Sequence, residues 1–289
     1  MSLRRTVAEP CGLLPFLFEN WPDQKRTRIK QCLKYGSVRV NGAPVTRHDH
    51  ALRPGDTVTI QVEGGDARSA ASPLPTGLKI LHEDDSVIVL HKGPGWLSVA
   101  RDNGKGRTVY AALTSHVRHE DPRLRVWIVH RLDRDTSGLM VFAKTEAAKH
   151  FLQEHWAECE KKYLAVVEGV VRRDSGTLRS HLDESNPMRV RSVAPNESSR
   201  EAVTHFRVIR RSAERSLVEL ILETGRRHQI RVQLADMGHP VVGDVRYGAK
   251  TDPAKRLGLH SSGLTFPHPD TREVISFTLP VPGELAKLA

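Results

Sequence analysis

The sequence predicts an α+β fold, in which a mixed, largely antiparallel sheet with helices packed against it follows a small α/β domain. Three observations predict it. In a chain of 289 residues, 38% hydrophobic and 27% charged, β-like runs outnumber helical ones. Those runs do not alternate regularly with helices, as a doubly wound parallel sheet would require. The stretch 63–76, EGGDARSAASPLPT, replaces aliphatic periodicity with Gly, Ser, Ala and Pro, the composition of a linker. Residues 1–62 are therefore expected to form a small basic domain, 63–76 a linker and 77–289 one large domain.

In the first segment Pro22 precedes DQKRTRIKQCLKYG, which places Ile29, Cys32 and Leu33 at helical spacing and ends on Gly36, a natural helix stop. Lys25, Arg26, Arg28, Lys30 and Lys34 fall largely on the other face of that helix. Strands are expected at 37–40, which contains Arg39, and at 57–62, beside the turn signals Asn41-Gly42 and Pro54-Gly55-Asp56. Beyond the linker, 78–81 and 87–91 read as strands around an acidic turn. Further β-like runs occupy 126–129, 139–143, 163–167, 203–209, 216–222 and 228–234, and helices are expected at 109–119 and 146–160.

Lysine and arginine total 44 against 34 acidic residues, a formal charge of +10. Residues 1–62 hold ten of the bases and five of the acids, so half the excess lies in about a fifth of the chain. This favours a polyanionic partner. Cys11, Cys32 and Cys159 show no paired spacing, which fits a reducing compartment and excludes a cysteine zinc site. No run approaches the roughly 18 to 20 apolar residues of a membrane span. The apolar run 12–18 behind Arg4 and Arg5 lacks a small-residue cleavage site, and the reading is a cytoplasmic protein without a membrane partner, by default a monomer.

Chemistry concentrates in VHRLDRDTSGLMVFAKT, 129–145, where a charged loop lies between two apolar runs. Asp133 and Asp135 are candidate bases or nucleophiles, and Arg131 and Arg134 can pair with them or with phosphate. Gly138 permits a tight return, while His130, Thr136 and Ser137 shape the loop. The bland alternative is a charged turn held by its own Asp–Arg pairs. Asp135-Thr136-Ser137-Gly138 imitates an aspartic-protease signature, but it occurs once and its arginines oppose a shared proton. His130, His228, His239, Asp244 and His260 form no HxxxH or HExxH pair, so no metal is expected.

As a whole, HRLDRDTSGL resembles the hallmark of the RluA family of pseudouridine synthases, His-Arg-Leu-Asp, two residues, Thr-Ser-Gly-Leu. Collinear segments agree: LHEDDSVIVLHKGPGWL, KKYLAVVEG, TGRRHQIRVQL, GHPVVGDVRYG and LHSSGLTFPHP. A departure is Lys92-Gly93-Pro94-Gly95, where the family commonly has Lys-Pro-x-Gly. Residues 11–62 similarly resemble the αL-motif RNA-binding domain, with Cys11-Gly12-Leu13 where that family usually shows a basic residue.

These resemblances imply the pseudouridine synthase catalytic fold and isomerisation of uridine in structured RNA without a cofactor. Asp133 is the matching essential aspartate, Arg231 its cationic partner and Tyr163 the tyrosine that stacks on the base. Arg131 matches the arginine that enters the space left by the flipped nucleotide. The expected partner is RNA, with large-subunit ribosomal RNA favoured over tRNA by the layout of the chain. The alternatives are a non-catalytic RNA-binding or ribosome-assembly factor that keeps the fold, and a nucleosidase that releases the base.

Overall fold

The computed structural model describes residues 2–22, 29–30, 32–33, 36–61, 74–100, 107–186 and 189–288. Two compact units divide the chain, Met1–Ala71 and Ser72–Ala289. In the first, strand Ser2–Thr6 pairs antiparallel with Thr57–Gln61, which pairs in turn with Val38–Val40. A two-residue turn returns Val38–Val40 into Ala43–Pro44. Asn41 at φ 53° and Gly42 at φ 84° both occupy the left-handed region, which such a tight hairpin demands. The Asn41 side chain accepts from the Thr57 amide and donates to Asp56, each at 2.8 Å, so it also fixes the neighbouring turn.

Helix Leu13–Asn20 buries Leu13, Phe16 and Leu17 against Val38, Val58 and Ile60. The apolar run behind Arg4 and Arg5 is thus core of this unit. Ile29 and Leu33 join the same core, while Lys30 is exposed and Arg39 donates to the Gly42 carbonyl. Lys25, Arg26, Arg28 and Lys34 lie outside the described residues.

The described residues of the second unit build an eleven-stranded sheet. Its path runs Arg191–Val193, Ser175–Asp183, Arg200–Arg211, Arg215–Leu222, Glu160–Glu168, Leu259–Pro267, Ser137–Ala143, Val87–Lys92 and Leu78–Glu83. Val274–Thr278 pairs with Leu259–Pro267, and Trp127–Ile128 with Ser137–Ala143. Neighbours along the path are antiparallel except where Ser137 and Gly138 meet His260 and Ser261 in parallel.

The central strands are buried on both faces, which is why they read as continuous apolar runs. Ile88, Leu90, Met140 and Phe142 point to one face, beneath Val109, Leu113 and Val117 of helix Val109–Glu120. Val87, Val89, Leu139 and Val141 point to the other, beneath Ala148 and Leu152 of helix Glu146–Glu154. Thr108 and Thr145 cap these helices, each accepting an amide three residues on at 3.0 Å. No helix among the described residues is long and apolar enough to cross a membrane.

Three expectations are corrected. The run 228–234 is not a strand: residues Gln229–Asp236 form a helix. Its Gln-Ile-Arg-Val-Gln-Leu alternation imitates a half-exposed strand, yet its polar members are also buried. Gln229 bonds Val203 O and Thr204, and Gln233 bonds Ala202 O and Leu178 O. The helix expected at 146–160 stops at Glu154, because Glu160 already belongs to the next strand. Strands Ser175–Asp183, Leu259–Pro267 and Val274–Thr278 were not expected, since the first alternates mostly half-exposed residues and the second buries His260, Ser261 and Ser262.

Candidate active site

Asp133 sits on the loop that enters strand Ser137–Ala143, and that loop is clamped on both sides of it. Before it, Ser98 Oγ donates to Leu132 O at 2.7 Å and accepts from Leu132 N at 3.0 Å. After it, the fully buried Lys92 donates to Arg134 O and Trp96 O, each at 2.9 Å, and to Gly93 O at 3.2 Å. Three carbonyls thus receive the three ammonium protons. Burial lowers the Lys92 pKa to about 7 against the opposing pull of Asp135 and Asp133.

The loop's exit is fixed by close backbone approach. Gly138 has φ +119°, and a Cβ there would lie 2.1 Å from Ser261 O, so the parallel contact admits only glycine. Thr136 and Ser137 are buried, with Ser137 Oγ 2.7 Å from His260 Nδ1 and bonded by Arg256. His130 Nε2 accepts from the Val141 amide at 3.1 Å, and its ring stacks on Trp156. Burial, aided by Lys161, lowers the His130 pKa to about 3, which suits that acceptor role.

Helix Gln229–Asp236 delivers the cation. Arg231 Nη1 donates to Asp133 Oδ2 at 3.0 Å, while its Nε and Nη2 grip both oxygens of Asp244 at 2.6 and 2.8 Å. Asp244 and Arg231 side chains are 2% and 10% exposed, against 25% for Asp133. Burial alone would lower the Arg231 pKa, but the two carboxylates outweigh it and raise it, so the guanidinium stays charged. One cation between two carboxylates leaves a surplus negative charge, and the more exposed carboxylate is Asp133.

Tyr163 lies on strand Glu160–Glu168, where a bulge between Lys162 and Tyr163 shifts the register against Leu259–Pro267. Burial lifts its pKa to about 12 despite a hydrogen bond with Ser261, and Asp133 adds to the rise, so the phenol keeps its proton. Asp133 and Arg131 line two adjoining spaces. One is a groove of about 830 Å³ whose wall includes Arg134, Arg227, Arg246 and Arg256. The other is a chamber of about 70 Å³ bounded by Tyr163, Thr136 and Leu222.

The structure therefore brings together Asp133, Arg231, Tyr163 and Arg131. Asp135 instead pairs with Arg134 at 3.2 Å on the exposed side of the loop. The histidines weighed as metal ligands are dispersed: His239 bonds Glu168 O and His260 bonds Ser137. No group of three or more metal-ligating side chains occurs among the described residues. Sequence reasoning missed Lys92, Ser98 and Tyr247 as parts of the site, and it weighed Asp244 and His228 only as metal ligands. The signal available for Lys92 is its position just before Gly93-Pro94-Gly95. Asp244 and Tyr247, whose ring lies 5.0 Å beneath the Arg231 guanidinium, both lie within GDVRYG.

A model of the RNA pseudouridylate synthase family matches residues 86–236. The chain is 36% identical to the uncharacterized RNA pseudouridine synthase YlyB of Bacillus subtilis, across 94% of this chain and 91% of that protein. It is also 36% identical to ribosomal large subunit pseudouridine synthase D of Neisseria meningitidis, across 92% of this chain and 75% of that one. The solved structure of human RNA pseudouridylate synthase domain containing 4 shares the fold, with a TM-score of 0.60 at 24% identity, covering 72% of this chain and 90% of that one. Fold and matches define an RNA-modifying isomerase. The chain belongs to the RNA pseudouridylate synthase family, of the RluA type, and converts uridine to pseudouridine in RNA.

Proposed function

We propose that this enzyme isomerises uridine in large-subunit ribosomal RNA and that Asp133 opens the glycosidic bond. The observation that carries the assignment is the carboxylate of Asp133, held 3.0 Å from Arg231 where the arginine-lined groove meets the Tyr163 chamber. Relatives named ribosomal large subunit pseudouridine synthase D, aligned over 92% or more of this chain, support the choice of RNA.

The chemistry follows from the parts. The C1′–N1 bond breaks with its electron pair left on the uracil, the ring turns, C5 bonds to C1′, and C5 loses a proton while N1 gains one. No atom passes to a second molecule and no electron is exchanged, so the residues suffice. Attack at C1′ and removal of a ribose proton both need a carboxylate placed against the sugar, and Arg231 holds that of Asp133 by one hydrogen bond while giving two to Asp244. Tyr163 offers an aromatic face to the pyrimidine and a phenol that remains a donor. Arg131 fills the place left by the flipped nucleotide, which offsets part of the few kcal/mol that unstacking costs. Lys25, Arg26, Arg28, Lys30, Lys34 and Arg39 supply phosphate contacts from the first unit.

The test is a transcriptome-wide pseudouridine map in cells lacking the gene, complemented by wild type or by Asp133→Asn. Sites in large-subunit ribosomal RNA restored only by wild type are expected. Restoration by Asp133→Asn would move the chemistry elsewhere, and lost sites confined to tRNA would change the substrate.

A further inference from the structure

We propose that His228 donates a hydrogen bond from Nε2 to the 2′-hydroxyl of the target nucleotide, making it the residue through which the enzyme demands ribose there. The inference rests on the reading of Asp133 as the group that reacts at the sugar. His228 stands at the N-terminus of helix Gln229–Asp236 in the left-handed region, φ 55° and ψ 16°, and its side chain makes no capping bond. Such a conformation in a residue other than glycine warrants a reason.

The hydrogen bonds around the ring define its tautomer. Tyr247 is 7% exposed, its hydroxyl oxygen accepts from the Val190 amide at 3.1 Å, and the same oxygen lies 2.7 Å from His228 Nδ1. A phenol has one proton, and among the described residues the acceptor within reach is Nδ1. We assign Nδ1 as the acceptor on that ground, which puts the hydrogen of the neutral imidazole on Nε2. Neutrality is supported independently: burial lowers the His228 pKa to about 4 against the pull of Asp133, with Arg231, Arg227 and Arg246 adding to the fall.

Nε2 lies beside the carboxylate that, on this reading, meets the sugar. It is 3.7 Å from Asp133 Oδ2, beyond hydrogen-bond reach, so the carboxylate does not consume its proton. His228 also lines both the groove and the chamber. A ribose whose C1′ or C2′ hydrogen meets the Asp133 carboxylate brings its 2′-oxygen, carried on C2′, to the side of that carboxylate where Nε2–H waits. Arg231 Nη1 approaches that same Oδ2 at 3.0 Å, and three of its N–H groups are taken by Asp244 and Asp133, which leaves the His228 Nε2–H as the neighbouring donor not engaged by a carboxylate. The 2′-hydroxyl is also the group by which a protein tells RNA from DNA.

The experiment uses a synthetic RNA spanning one mapped site, with uridine or 2′-deoxyuridine at the target alone, and single-turnover rates for wild type, His228→Asn and Tyr247→Phe. Asparagine tolerates the left-handed backbone, and matching thermal melts check that each variant folds. Wild type is expected to be slower on the deoxy target by about tenfold, and His228→Asn to lose about tenfold on uridine but less than about twofold on deoxyuridine. Tyr247→Phe, which frees the tautomer, is expected to lose part of the discrimination. Equal losses by His228→Asn on both RNAs would overturn the proposal, as would refusal of the deoxy target by wild type and His228→Asn alike. Discrimination untouched in Tyr247→Phe would remove the tautomer on which it stands. Wild type inactive on the uridine RNA itself would instead sink the underlying reading of the site, and the proposal with it.

Discussion

Glu83, Lys144 and His116 make one buried charged cluster in the second unit; Asp133, Arg231, Asp244 and His228 make another. In the first, Lys144 Nζ and His116 Nε2 approach Glu83 at 2.8 and 2.9 Å, and all three side chains are 4–7% exposed. Glu83 meets the Lys144 ammonium and the His116 imidazole away from solvent. In the second, one guanidinium serves two carboxylates, and the surplus carboxylate faces a groove of about 830 Å³. The ingredients are nearly the same. Matched charge shut away from solvent holds a sheet edge to a helix, whereas an excess charge left at a cavity wall is available to react.

Four substitutions break or sharpen that contrast. Asp133→Asn removes the surplus charge and is expected to lower the single-turnover rate by on the order of 10⁴-fold while moving the denaturant midpoint by less than about 1 kcal/mol of stability. Gly138→Ala drives a Cβ into Ser261 O, so urea unfolding is expected to show a loss of about 4 kcal/mol or more. Glu83→Gln leaves Lys144 buried without its counter-charge, and a loss of about 3 kcal/mol at pH 7 is expected from the same measurement. Lys92→Met orphans three carbonyls around Asp133 and is expected to cost about 2 kcal/mol, with a smaller fall in turnover than Asp133→Asn.

Glu83 also gives the comparison a pH axis. Burial alone would raise its pKa, but the hydrogen bond from His116 and the charge of Lys144 outweigh it and bring it to about 2. A carboxyl depressed on folding contributes stability that is full above its ordinary value of 4.5 and is lost as pH falls towards 2. Melting temperature is therefore expected to drop less steeply between pH 5 and 3, as approximate settings of about those values, in Glu83→Gln than in wild type. An identical slope would show that this cluster holds no ionised carboxylate.

The sequence made the central strands legible because burial on both faces leaves unbroken apolar runs such as Leu139 to Ala143. The loop of Asp133 was equally visible, being polar and charged between two such runs. Its partner was not legible from spacing: Arg231 lies 98 residues away, and only the resemblance joined the two. The segment around Arg231 reads as a strand in the sequence, because Gln229, Arg231 and Gln233 alternate like a solvent face although each is buried by its own hydrogen bonds. Lys92 and Ser98 went unread for a related reason. They act on backbone carbonyls and amides, and no pattern of side chains along the chain records such contacts.

The clamps of Ser98 and Lys92 on the residues either side of Asp133, with glycine locking the loop's exit, also decide which partner does the moving. With the backbone on both sides of Asp133 so held, the enzyme is expected to act as a die and the RNA as the metal shaped against it, so that the barrier falls mainly on the nucleic acid. Turnover on different RNAs is expected to follow how readily each one surrenders the nucleotide, with the slowest sites showing the largest gain from warming.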